Sequence, residues 1–74
     1  MKGTTLSVRT GLAIRKRREA LGIRQDDVAR KLKMHRTYYS AIERGQKNLR
    51  IQTLNRICSV LNLQTWQIMQ DAEK

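Results

Sequence analysis

The chain has 74 residues, 16 Lys+Arg against 6 Asp+Glu, a net charge of +10 and 39% hydrophobic residues. That length gives one domain, spanning 1–74, with a core so thin that a partner subunit would help to stabilise it. No stretch approaches the roughly 20 apolar residues of a membrane span, and residues 1–20 hold no apolar leader, so a cytoplasmic protein is expected. Cys58 is the single cysteine and His35 the single histidine, so neither a disulfide nor a metal site is expected, and no cofactor or small-molecule ligand.

The charge is unevenly placed. Residues 1–56 hold fifteen of the sixteen bases and four acids, Glu19, Asp26, Asp27 and Glu43. Residues 57–74 hold only Lys74, Asp71 and Glu73 among the charged types. A strongly basic surface attracts polyanions, and nucleic acid is the first candidate. The run Arg15 to Arg18 reads either as a solvated face or as a surface near the phosphate backbone.

Helical periodicity recurs along the chain, and no alternating strand pattern of useful length interrupts it. Residues 1–5 read as frayed. A first helix is expected over about 6–21, with Gly22 as its stop and Ile14 and Leu21 on one face. Arg17 and Arg18 flank that stripe and can keep their heads free. A second helix over about 25–32 carries Asp26 and Asp27 in its first turn, where the helix dipole favours acids, and buries Val28, Ala29 and Leu32. Lys33-Met34-His35 is the connection to a third helix, over about 36–44, stopped by Gly45. That helix sets Tyr39 and Ile42 against Arg36, Thr37, Ser40 and Arg44 on nearly the opposite face. A basic loop follows, Gln46 to Arg50. The fourth helix, about 51–61, has Leu54, Ile57, Cys58 and Leu61 at i, i+3, i+4 and i+7. A last short helix covers about 65–72.

Two helices joined by three residues, the second with short polar groups outward, describe a helix-turn-helix. The second helix of that motif enters the major groove. Arg36 is suited to guanine O6 and N7 as a bidentate donor, and Thr37 and Ser40 to base edges or phosphate. Tyr38 can reach a phosphate through its hydroxyl, and Gln25 stands at a helix N-terminus where an anion is favoured.

The strings Gly22 to Ala29 and His35 to Gly45, continued by Lys47-Asn48 and the helix holding Leu54 to Leu61, resemble the Cro/C1-type helix-turn-helix over about residues 11–65. Arg36-Thr37-Tyr38 and Ile42-Glu43-Arg44-Gly45 look most like the controller proteins of restriction–modification systems. The resemblance implies an all-α, five-helix, lambda-repressor-like domain of a bacterium or phage. Such a domain binds double-stranded operator DNA as a homodimer on a palindrome near its own gene. It further implies base readout by Arg36, Thr37 and Ser40. Backbone contacts would come from Arg18, Arg24, Gln25, Tyr38, Arg44, Lys47 and Asn48. Arg18 and Glu43 match a family pair in which the arginine bridges the glutamate and a phosphate. A phage-type repressor or an antitoxin component, with its C-terminal helix on another protein, is the alternative.

Four positions depart from the family pattern. Lys33 stands where Gly or Asn is usual, so a left-handed turn there would cost about 1 kcal/mol. His35, and likewise Arg24 and Arg50, replace small polar caps, each lost cap costing about 0.5–2 kcal/mol. The weak monomer that follows puts weight on dimerisation. Residues 62–74 are the expected dimer segment, through Trp66, Ile68 and Met69, with Trp66 also able to seal the core. Cys58 reads as a core thiol. Three aromatic residues make no RNA-stacking platform, the basic face lacks the long apolar face of a membrane-surface helix, and no nucleophile–base pair, metal set or phosphate loop supports catalysis.

Overall fold

The computed structural model describes residues 5–72, with side chains from Ser7 onward. Five helices follow one another, and no strand occurs among the described residues: α1 (Thr5–Ala20), α2 (Gln25–Leu32), α3 (Arg36–Glu43), α4 (Ile51–Val60) and α5 (Thr65–Ala72). The expected frayed segment thus lies mostly outside the described residues, and α1 begins at Thr5. The periodicity placed all five helices, with ends shifted by at most a residue.

Helices α1 and α2 both pack on α3, α4 closes over α2, and α5 lies across α1 and α4. The core is one cluster. Ile14 enters it from α1, Val28, Ala29 and Leu32 from α2, Tyr39 and Ile42 from α3, and Leu54, Ile57 and Cys58 from α4. Leu61 and Ile68 complete it. Burial pushes the Cys58 thiol up, as suits an inert core cysteine. Leu21 departs from expectation. It lies past the end of α1 and is 40% exposed, so the turn at Gly22 carries it off the Ile14 face.

The first four helices end alike. Gly22, Lys33, Gly45 and Asn62 all have positive φ, at 71°, 57°, 75° and 60°. At each, that residue's N–H donates three residues back. The next N–H donates five residues back, as in Met34 N–H to the Ala29 carbonyl at 3.0 Å. This double closure is the Schellman arrangement. In α2 the Arg56 guanidinium also donates to the Leu32 carbonyl, so α4 clamps the end of the helix that leads into the turn. The expected departures are present: Lys33 is left-handed, and Arg24, His35 and Arg50 make no side-chain cap bond.

Lys33 therefore pays a conformational penalty that glycine would not. Lys33→Gly is expected to stabilise the fold by up to about 1 kcal/mol, read as a higher urea midpoint at unchanged slope. A lower midpoint would show that the left-handed turn is not strained.

Candidate nucleic-acid interface

Helix α3 turns Tyr39, Ala41, Ile42 and Glu43 inward, which leaves Arg36, Thr37 and Tyr38 exposed and Ser40 half-buried. The amphipathic pattern read from the sequence thus becomes a real outward face. Arg36 is not idle there. Its Nε lies 3.1 Å from Asp26 Oδ1, an ion pair across the turn between the first residues of α2 and α3. Arg44 donates from Nη1 to Ser40 Oγ at 2.6 Å and from Nε and Nη2 to Gln46. Lys47 places Nζ 5.5 Å from the Tyr38 ring centre, a cation–π distance. At the near end of the loop, Ser7 Oγ donates to Asn48 at 3.3 Å. Arg24, at the start of α2, is exposed and pairs loosely with Asp27 at 3.5 Å.

Behind this face lies a buried polar network. Arg18 donates from Nε to Glu43 Oε2 at 2.7 Å and from Nη2 to Oε1 at 3.1 Å, a bidentate pair. Its Nη1 donates to the Ile23 carbonyl at 2.8 Å. Gln25 Nε2 donates to the same Glu43 Oε1 at 2.9 Å. One carboxylate therefore ties together α1, α2 and α3. Burial pushes the Glu43 carboxyl up. The hydrogen bonds from Arg18 and Gln25, the neighbouring Tyr39 hydroxyl and the Arg18 charge outweigh this and hold it below the usual carboxylate range. The Tyr39 hydroxyl is buried without a well-formed hydrogen bond, and burial beside Glu43 pushes its phenol far up. The Arg18 head, expected to be free, is not: its side chain is only 11% exposed.

The sequence-predicted residues fall into two groups. Arg24, Arg36, Thr37, Tyr38, Ser40, Arg44, Lys47 and Asn48 belong to α3 and the segments that flank it. Arg18, Gln25 and Glu43 form the support beneath. Trp66, Ile68 and Met69 lie apart on α5, and there the structure corrects the expectation. Ile68 is fully buried and seals the core, whereas Trp66 is 62% exposed. At helical spacing the core contact of α5 comes from Ile68 and Ala72, so Trp66 and Met69 face outward. The run Arg15 to Arg18 is also divided. Arg15 pairs with Glu19 at 3.0 Å, Arg18 joins the network, and Lys16 and Arg17 line a groove between α1 and α5.

No local pattern announces the Asp26–Arg36 pair, because acids in a first turn already have a reason in the helix dipole. Gly11 is the signal in the sequence for the packing of α1 on α3. A glycine inside a helix costs about 1 kcal/mol, which often marks a packing need. A Cβ on Gly11 would lie 2.5 Å from the Ile42 carbonyl oxygen and 2.6 Å from that of Glu43, so only glycine lets α1 approach α3 this closely.

Comparison with known proteins agrees with this geometry. A family model described as helix-turn-helix matches residues 14–65. The control protein C.MunI of a Mycoplasma species is 31% identical over 70 residues, covering 93% of this chain and 95% of that protein. Among solved structures, the clp gene regulator ClgR of C. glutamicum superposes with a TM-score of 0.89 at 25% identity, over 92% of this chain and 88% of that one. The restriction–modification controller protein C.Esp1396I was solved as a tetramer with its natural 35 base-pair operator. It superposes with a TM-score of 0.82 at 31% identity, over 96% and 99% of the two chains. The chain belongs to the helix-turn-helix family, and within it to the DNA-binding controller proteins of restriction–modification systems.

Proposed function

We propose that the chain acts in the bacterial cytoplasm as a homodimer that reads a palindromic operator near its own gene, and that it works by occupancy rather than catalysis. The observation that carries this reading is the outward face of α3, which sets Arg36, Thr37 and Ser40 on a helix held rigidly from behind by Arg18, Gln25 and Glu43. Those three outward side chains contact base edges. Arg24, Tyr38, Arg44, Lys47 and Asn48 lie along the phosphates, and Gln25, at the N-terminal end of α2, and Arg18 hold the register.

Residues 62–74 supply the dimer contact through Trp66 and Met69. Both are exposed on α5, and Met69 shares an apolar groove with Leu49, Ile51 and Leu54. An exposed apolar patch on a near-neutral segment fits an isologous contact. Trp66→Ser is expected to lower the solution mass toward that of the monomer in sedimentation equilibrium, and an unchanged mass would remove Trp66 from the seam.

Arg36→Ala tests base readout. It is expected to cost about 1–3 kcal/mol on the operator and to relax preference at one base pair of each half-site. Equal weakening on every sequence would show that Arg36 contacts phosphate instead.

A further inference from the structure

The groove between α1 and α5 is not absorbed by any of these roles. It has a volume of about 410 Å³ and is lined by Arg9, Leu12, Lys16, Arg17 and Asp71 over a floor of small residues. Of the bases among the described residues, five arginines, Arg15, Arg18, Arg24, Arg30 and Arg36, pair with a carboxylate, and these three cations, Arg9, Lys16 and Arg17, do not. Arg17 Nε is buried there without a hydrogen-bond partner. Leu12 is 45% exposed on the same wall, and Val8 is exposed one turn before it.

The groove faces away from the recognition helix. The α3-facing side of α1 is marked by Gly11. At about 100° per residue, Arg9, Leu12, Lys16 and Arg17 all lie roughly 100° or more around the helix from it. A duplex on α3 therefore leaves these cations free.

We propose that this groove docks an acidic, amphipathic polypeptide segment of a second protein while the operator is bound. Carboxylates of that segment pair with Arg9, Lys16 and Arg17, and an apolar side chain covers Leu12. A polypeptide fits better than a second nucleic acid. Phosphates would leave Leu12 uncovered and would be repelled by Asp71, whereas a peptide N–H can donate to that carboxylate.

The test is fluorescence anisotropy with a labelled peptide of Glu and Leu at amphipathic helical spacing, titrated onto protein saturated with operator duplex. The duplex only occupies α3, so a failure of operator binding is read separately, from the protein–DNA titration and from peptide binding to the free protein. A ternary complex is expected. Lys16→Glu should weaken the peptide about tenfold, and Leu12→Ser several-fold, with operator affinity and dimer mass unchanged. Lys31→Glu, an exposed base on α2, should shift it less than about threefold. The proposal is overturned if Lys16→Glu and Lys31→Glu weaken the peptide equally, or if polyglutamate binds as well as the amphipathic peptide. It is also overturned if the peptide displaces the operator, or if a random duplex competes it out of the groove. Loss of the dimer in Leu12→Ser would assign the groove to a second copy of this chain and overturn it as well.

Discussion

Glu43→Ala is expected to unfold most of the protein at conditions where the parent is folded. Its carboxylate accepts from Arg18 twice and from Gln25 once, and the side chains of Glu43 and Arg18 are 2% and 11% exposed. Removing one partner of such a pair strands the other charge, at a cost of about 3–5 kcal/mol. At about 0.05–0.15 kcal/mol per residue, 74 residues hold about 4–11 kcal/mol, and a core this thin places the domain at the lower end. The double change Arg18→Met with Glu43→Leu is expected to recover much of the urea midpoint, because no charge is left unpaired. It should still weaken operator binding, since Gln25 loses its anchor on α3. A Glu43→Ala midpoint equal to the parent's would contradict the buried pair.

The same carboxylate sets an acid limb. Its folded pKa lies below the ordinary glutamate value of about 4.5, so the stabilisation is present above about pH 4.5 and is lost as pH falls through the lower folded value. Glu43→Gln should therefore flatten the fall of the urea midpoint over that window.

Gly11→Ala is expected to destabilise the fold by about 1–3 kcal/mol, the cost of overpacking. Helix propensity alone predicts the opposite sign, a gain of about 1 kcal/mol. The reversal follows because the new Cβ meets backbone atoms of Ile42 and Glu43, which move only if α3 moves. Gly22→Ala is the comparison. Its Cβ would meet nothing within 4 Å, so it should cost only the left-handed penalty of about 1 kcal/mol. Thermal melts that show Gly11→Ala stabilised would rule out the close approach of α1 to α3.

The helices were legible in the sequence because their buried stripes repeat at helical spacing, as Leu54, Ile57, Cys58 and Leu61 do. Gly22 and Gly45 marked two of the stops. The stop at Asn62 was less visible, since Asn adopts the left-handed region without announcing it as Gly does. The outward face of α3 was legible for the same reason of spacing. What periodicity could not give was which of two neighbouring apolar residues faces inward on a short helix. Ile68, expected at the dimer seam, is buried while Trp66 stays exposed, because the packing of α5 on α1, rather than side-chain size, sets that rotation. Long-range pairs were also hidden. Asp26 with Arg36, and Arg56 with the Leu32 carbonyl, depend on how helices cross, which no local pattern encodes.

Footprinting of the duplex upstream of the chain's own gene bears most directly on sequence-specific operator binding by α3. Two protected half-sites on one face of the duplex, centred about 34–36 Å apart or a multiple of that, are expected for the parent protein. Diffuse protection, at the concentration that also covers a random duplex, would show that the net positive charge alone drives binding and that α3 does not read sequence.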